Sequence, residues 1–293
     1  MTTVPVLSCL VLPDQTPAAF LAGVREAEQA GVRTVWTYDH LSWRDLADGP
    51  WLATVPLLAA AAGATSTVRL GAQVATPNFR HPVPFAKEVM TLDHVSAGRL
   101  ELGVGAGAED ADARVLGQAP MTRKERGNRF EEWATLLATL LEQDRTDHRG
   151  VYYSAEDARM IPGCVQRPRV PLTVAAAGPR SMRVAALLGS AWVTYGPYRQ
   201  SPAPTEWLAA IAEQSRSLDT AVAEVAPGKR IRRIAQVALD ETRPFRDADT
   251  YRQFAQDVAA AGFDELTVHW PRSDGRGVPA AALDTVVATH AGS

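Results

Sequence analysis

Apolar and polar residues alternate along the chain in two spacings, and this alternation predicts strands and helices in turn. The first apolar run, VPVLSCLVL (4–12), is rich in β-branched residues and ends at a Pro-Asp turn, which is typical of a strand. The following segment has apolar residues at helical spacing, begins after Thr16 with Pro17, and ends at Gly31. The chain therefore opens with a strand, a turn and an amphipathic helix.

The same alternation continues to the end of the chain, with one interruption. Seven further strands are predicted at 34–39, 68–76, 99–107, 171–178, 191–196, 230–240 and 265–271. The helices between and after them are predicted at 54–64, 83–96, 180–188, 203–225, 247–261 and 279–290. Between 107 and 171 the pattern instead predicts a short helix (109–116), a long helix (122–143), a hairpin arm (150–154) and a proline-rich connector.

Eight strands separated by helices predict a parallel sheet, because a parallel neighbour requires a crossover connection. Eight such units close into a (β/α)8 barrel, and the alternative is an open doubly wound sheet. The GVGAG run (103–107) lacks the G-x-G-x-x-G spacing of a dinucleotide-binding turn. The fold class predicted is α/β, with the (β/α)8 TIM barrel preferred.

Composition narrows the classes of partner. The 293 residues carry a net charge of −3, so no polycationic surface for nucleic acid is expected. No apolar stretch is long enough to span a bilayer, and the N-terminal residues are interpreted as a strand and not as a signal peptide. The two cysteines, Cys9 and Cys164, and the six histidines show no metal-binding spacing, so we expect no metal and a cytoplasmic protein.

Candidate chemistry lies where strands end, because a barrel gathers reactive groups at the C-terminal ends of its strands. Asp39 and His40 follow the second strand, and they either face a pocket or serve only as a helix cap and a surface imidazole. The glycines at 105 and 107 either permit a tight turn or let the backbone approach a flat ligand. The segment 178–181 opens a helix whose free N–H groups suit a phosphate, or it is a plain strand-to-helix turn.

Three segments together resemble one known family. They are TVWTYDHLSW (34–43), VRLGAQVATPNFRHPVPFAKEVMTLDHVSAGRLELGVGAG (68–107) and VPLTVAAAGPRSMRVAALLGSAWV (170–193). The chain is similar in them to the luciferase-like monooxygenases, and most of all to the branch that uses the deazaflavin coenzyme F420. The resemblance implies one barrel domain over 1–293, with an insertion after the fourth strand at roughly 108–170.

The resemblance also implies roles for particular residues. Asp39 is expected to contact the deazaflavin, His40 to transfer a proton at its reactive face, and Trp43 and Tyr195 to wall the substrate space. By the same resemblance, dehydrogenases of sugar phosphates carry an acid directly after the G-x-G turn, where this chain has Ala108. Glu109 either takes that catalytic role or only caps the short helix. The expected cofactor-binding set, which includes a cis peptide at Gln73–Val74, is Asp39, Gln73, Val74, Thr76, Asn78, Gly105, Ala106, Gly107, Ala176, Ala177, Gly178, Pro179, Arg180 and Ser181.

The activity implied is hydride transfer between F420 and a small organic substrate. The alternative is an FMN-dependent monooxygenase, which needs reduced flavin, O2 and a flavin reductase partner. A flavin-binding barrel without catalysis is the third hypothesis. Members of the family often form homodimers, so a homodimer is a possible assembly.

Overall fold

The computed structural model describes residues 4–107, 111–197 and 202–291, and its main feature is a closed barrel of eight parallel strands. The strands of the chain are β1 Val6–Leu10, β2 Thr34–Thr37, β3 Arg69–Ala75, β4 Leu100–Gly105, β5 Arg145–Arg149, β6 Ser154–Arg159, β7 Leu172–Ala175, β8 Ala191–Thr194, β9 Arg232–Gln236 and β10 Glu265–His269. Their order around the barrel is β1-β10-β9-β8-β7-β4-β3-β2. The (β/α)8 prediction is confirmed, and the open-sheet alternative is wrong.

The helices follow the predicted segments closely. They are α1 Pro17–Gln29, α2 Thr54–Ala64, α3 Pro82–Val95, α4 Ala111–Val115, α5 Arg123–Glu142, α6 Pro179–Leu188, α7 Pro204–Val225, α8 Ala248–Ala260 and α9 Leu283–His290. Local capping explains several boundaries: the Thr16 hydroxyl accepts from Ala19 N at 3.3 Å, and Thr122 and Glu125 form a reciprocal capping box. Among the described residues, no helix is long and apolar enough to cross a membrane.

The segment between β4 and β7 contains α4, α5 and an antiparallel β5–β6 hairpin. The expectation that 150–154 forms a hairpin arm is wrong, because 150–153 make the turn and only Ser154 belongs to a strand. The Glu132 carboxylate on α5 explains this difference. It accepts the backbone N–H groups of Val151, Tyr152 and Tyr153 at 2.8–3.1 Å, so these groups are unavailable to a strand ladder.

The N-terminal end of the barrel interior is filled by buried ion pairs. Arg232 at the start of β9 contacts Glu101 and Glu265, with Nε 3.1 Å from the Glu265 carboxylate. Ser8 donates a hydrogen bond to Glu265, and Thr173 donates to Glu101 at 2.6 Å. These groups close one end of the barrel, which leaves the C-terminal end for ligands.

A tryptophan fills the middle of the barrel. Trp36 is fully buried against Leu10, Val193 and Ile234. Gly71 on the neighbouring strand gives it room, because a Cβ there would lie 2.4 Å from the Trp36 ring. The size of this side chain thus requires glycine on the adjacent strand, as expected for a closely packed interior.

Candidate active site

Four strands that are neighbours in the barrel lead into the four segments predicted to bind a cofactor. The order β2-β3-β4-β7 is continuous, and the loops after these strands carry Asp39 and His40, the 76–78 turn, the glycines at 105 and 107, and the 176–178 turn. Since all eight strands run in parallel, these loops lie at the same end of the barrel. The predicted residues therefore share one half of the C-terminal rim, and Tyr195 follows the next strand, β8.

His40 is held by a carboxylate that the sequence pattern does not mark. Its Nδ1 atom lies 2.7 Å from Oδ2 of Asp112, which is 2% exposed on α4. The second oxygen of Asp112 accepts the Leu41 N–H at 2.8 Å. The His40 carbonyl also accepts the Trp51 Nε1–H at 2.9 Å, so backbone and ring are both fixed. The His40 side chain remains 25% exposed, which leaves the ring accessible.

Asp39 is buried and fully engaged by an arginine. Arg80 donates to its two oxygens at 2.7 and 3.1 Å, in the bidentate geometry typical of strong arginine–carboxylate pairs. Burial lowers the pKa of Arg80, but the hydrogen bonds and charge of Asp39 outweigh it, so the pKa is raised overall. Asp39 thus ties the loop after β2 to the loop after β3, and its predicted contact with a cofactor stays a prediction.

The peptide bond between Gln73 and Val74 is cis, as the family resemblance implies. Val74 is partly buried and packs with the cluster that fills the barrel. It occupies the space that a side chain at Gly105 would take, because a Cβ there would lie 2.8 Å from Val74 Cγ2. At Gly103 the backbone of β3 comes closest, since a Cβ there would lie 2.4 Å from the Ala72 carbonyl oxygen. Gly105 therefore makes room for Val74, and Gly103 for the neighbouring strand.

The third glycine of that run serves a different neighbour. Gly107 has φ +72°, and a Cβ there would lie 2.4 Å from Nδ2 of Asn78. Asn78 is buried, accepts a hydrogen bond from Arg129 on α5, and its N–H contacts Thr76 Oγ1 at 3.3 Å. Burial lowers the pKa of Arg129. Ala106, between the glycines, is partly buried and packs on the core.

A cluster of aromatic side chains adjoins His40, whose ring lies 6.3 Å from that of Tyr38. The ring of Tyr38 lies 4.9 Å from that of Trp43, and the ring of Trp43 stacks on Trp51 at 6.4 Å. Tyr195 is 39% exposed, and its carbonyl accepts from Trp207 at 3.1 Å. Trp43 therefore belongs to an aromatic wall at the mouth, while the role predicted for Tyr195 rests on its position after β8.

A chain of buried hydrogen bonds crosses the barrel beneath this wall. The Tyr38 hydroxyl lies 2.8 Å from His269 Nε2 and accepts from Gln236 at 3.0 Å, and Gln73 donates to Gln236 at 2.5 Å. Burial lowers the pKa of His269 to about 3, so this imidazole is neutral at physiological pH. Gln73 Oε1 is buried and has no hydrogen-bond partner in the described parts of the chain.

The N-terminus of α6 is exposed at the same rim. Gly178 is its N-cap residue, and nothing lies within 4 Å of the position a Cβ would take there. Ser181 caps the helix because its Oγ accepts the Gly178 N–H at 3.3 Å, and the same hydroxyl donates to the Gly178 carbonyl at 3.0 Å. Arg180 pairs with Glu131 at 2.6 Å. The predicted phosphate role thus falls mainly on backbone N–H groups; Ala176 is buried, whereas Ala177 and Pro179 are exposed.

Sequence reasoning missed the side chains that hold the predicted ones. They are Tyr38, Arg80, Asp112 and Arg129. The acidic run AEDAD after the G-x-G turn contains Asp112 but does not distinguish it from its neighbours. Glu109 is the residue predicted from that run, and it lies outside the described residues. Within 4–107, 111–197 and 202–291, no group of three His, Cys, Asp or Glu side chains could hold a metal ion, and both cysteines are free and buried.

The fold is a (β/α)8 barrel, and its C-terminal rim is the candidate ligand site. The model of one family, the luciferase-like monooxygenases, matches residues 3–292. The chain belongs to the luciferase-like monooxygenase family.

Two curated relatives differ in their named activity. The chain is 39% identical over 214 residues to an F420-dependent glucose-6-phosphate dehydrogenase of Beutenbergia cavernae, a match that covers 71% of this chain and 62% of that protein. It is 31% identical over 230 residues to a 4-hydroxyprotoasukamycin monooxygenase of Streptomyces nodosus subsp. asukaensis. This match covers 73% of this chain and 59% of that protein. The matches therefore span less than two thirds of these relatives.

A solved structure supports the same architecture. An F420-dependent secondary alcohol dehydrogenase in complex with an F420-acetone adduct superimposes with a TM-score of 0.78 at 16% identity, covering 98% of both chains. At this identity the likeness shows the fold alone.

Proposed function

We propose that the protein is an F420-dependent oxidoreductase that acts on a small organic substrate. One observation carries the proposal: the oriented, accessible imidazole of His40 and the exposed N-terminus of α6 lie on the same half of the barrel rim. The chain is also similar to an F420-dependent dehydrogenase. When bound, the deazaflavin supplies a hydride donor or acceptor at its C5 carbon.

The residues at the rim fit a flat ring that carries a phosphate tail. Val74 offers a partly buried apolar surface for the ring, and the preceding residue, Gln73, has a buried Oε1 without a hydrogen-bond partner in the described parts of the chain. Thr76, Asn78 and the 105–107 turn would line the ring, with Asp39 below them. The segment 176–181 would hold the phosphate through N–H groups at the start of α6, where anions are favoured.

The chain's own side chains have separate tasks in this proposal. The exposed nitrogen of His40 donates or accepts the proton that accompanies hydride transfer. Trp43 and Tyr195 border the substrate, and the aromatic wall of Tyr38, Trp43 and Trp51 limits access of water. The substrate class stays open between alcohols that are oxidised and carbonyl or alkene groups that are reduced.

The second candidate is an FMN-dependent monooxygenase, which the similarity to a named monooxygenase favours. Titration of the apoprotein with F420 and with FMN, followed by absorbance and tryptophan fluorescence, separates the two. We expect tight binding of F420. Tight binding of FMN without binding of F420 would overturn the proposal. Tight cofactor binding without turnover of any donor or acceptor would favour a barrel without catalysis.

Assembly and compartment belong to the same proposal. We propose that the protein is a homodimer in the cytoplasm. Sedimentation velocity measures the oligomeric state. A flavin reductase partner is needed only in the FMN case, because F420 is reduced and reoxidised as a diffusing cosubstrate.

A further inference from the structure

We propose that Asp112 is the positioning residue of His40 and that it holds the imidazole in the tautomer with the proton on Nδ1. Nothing in the sequence pattern marks Asp112 for this role, and the inference comes from contacts between the loop after β2 and α4. Its consequence for turnover rests on the proposed function, whereas the tautomer itself does not.

The contacts leave little freedom for the carboxylate. Asp112 is 2% exposed, and its Oδ1 atom accepts the Leu41 N–H at 2.8 Å. This bond fixes the carboxylate against the backbone of the residue that follows His40. Its other oxygen therefore has a set position, 2.7 Å from His40 Nδ1. A carboxylate has acceptors and no donor, so His40 must supply the proton in this bond.

The tautomer follows from the bond. When Nδ1 of a neutral imidazole carries the proton, the lone pair is on Nε2. The ring is 25% exposed and its Nδ1 faces the buried carboxylate, so Nε2 is the nitrogen available to the mouth. In the direction of alcohol oxidation, Nε2 would take the proton of the substrate O–H group and form an imidazolium beside Asp112. The bound deazaflavin would supply the acceptor for the hydride that leaves the alcohol carbon. In the reverse direction the same proton returns to the carbonyl oxygen.

A second consequence concerns the geometry of the ring. His40 lies between two anchors, because Asp112 holds Nδ1 and Trp51 donates to the His40 carbonyl at 2.9 Å. The Trp51 contact fixes the backbone and leaves rotation of the side chain open. Among the described residues, Asp112 is the one that hydrogen-bonds the His40 ring, so its loss should affect a chemical step more than cofactor affinity.

The test is an ¹⁵N NMR measurement of the imidazole nitrogens in the full chain without cofactor, with His40 assigned from the spectrum of His40→Gln. For the neutral ring we expect the ¹⁵N chemical shift of a protonated nitrogen at Nδ1 and that of an unprotonated nitrogen at Nε2. In Asp112→Asn the amide N–H₂ group faces Nδ1 and the amide oxygen still accepts from Leu41, so the two shifts should exchange. The opposite pattern in the wild-type chain, or an unchanged pattern in Asp112→Asn, would overturn the inference.

Kinetics with F420 give the second measurement. We expect kcat of Asp112→Asn to fall about 100-fold or more, the size of a general acid–base contribution, with F420 affinity within about two-fold of wild type. Asp45→Asn is the matched control, since that aspartate lies in the same loop after β2 but is exposed and pairs with Arg276 at 2.7 Å. A loss of kcat equal in both variants would contradict a specific role. Failure of the wild-type chain to bind F420 would instead remove the proposed function and leave the tautomer result intact.

Discussion

The substitution Gly178→Asp tests where the cofactor phosphate binds. Gly178 is the N-cap residue of α6, its φ of −101° suits any residue, and no atom lies within 4 Å of the position that a Cβ would take. A carboxylate there would stand beside the proposed phosphate and would also accept the N–H groups that the phosphate requires. Both effects weaken binding of the cofactor.

The magnitude follows from Coulomb's law. Two unit charges 4 Å apart repel by about 1 kcal/mol in bulk water and by about 4 kcal/mol at an effective dielectric constant near 20. Gly178 is exposed, so we expect about 1–2 kcal/mol, which corresponds to roughly 5- to 30-fold weaker binding of F420. Salt should reduce the effect, because at 1 M the Debye length is only about 3 Å.

The assay is a fluorescence titration of F420 into wild type, Gly178→Asp and two matched variants. Gly178→Ala adds the same first carbon without charge, and we expect wild-type affinity. Gly178→Asn caps the helix without charge, so it isolates the competition for N–H groups and should give an intermediate loss. Aspartate and asparagine are better N-caps than glycine by a few tenths of a kcal/mol, so unfolding does not explain weaker binding.

One result would refute the reasoning. Wild-type affinity in Gly178→Asp at low salt would show that no phosphate binds at the start of α6. Equal losses in the alanine and aspartate variants would show a steric effect, which the open space around Gly178 does not predict.

Three further outcomes are expected. His40→Ala should lower kcat far more than F420 affinity in steady-state and titration measurements, and equal losses would indicate a role in holding the cofactor. Gly71→Ala should lower the free energy of unfolding by about 1–3 kcal/mol or more, because the added carbon overlaps Trp36. Gly63→Ala in helix α2, where nothing lies within 4 Å of the added carbon, should raise it by about 0.5–1 kcal/mol. Equal shifts of the two variants in urea denaturation would contradict the packing argument. Burial alone would raise the pKa of Glu28, but hydrogen bonds from the 66–68 turn lower it to about 2. The stability that these hydrogen bonds contribute is therefore present above the pKa of the unfolded chain, near 4.3, and is lost as pH falls towards 2. The stability difference between wild type and Glu28→Gln should therefore shrink over that pH range, and a constant difference would count against it.

The alternation of strands and helices was readable because each element carries its own periodicity and its own end signals. The β-branched run of β1 and the Thr16 and Thr122 caps are local features, and the structure has each of them where the pattern predicts it. The turn at 150–153 was misjudged because its conformation depends on Glu132, a residue about 20 positions away. Local pattern contains no information about such a partner.

The sequence by itself determined the (β/α)8 architecture, the family and the segments that form the rim, because periodicity, turn chemistry and motif spacing are properties of neighbouring residues. Only the tertiary structure decided which side chains hold the rim in place. Arg80, Asp112 and Arg129 hydrogen-bond Asp39, His40 and Asn78 respectively, and Val74 packs against Gly105 of β4. These pairs join residues distant in the chain, and they form because closing the barrel buries polar groups, which must then find partners inside the protein.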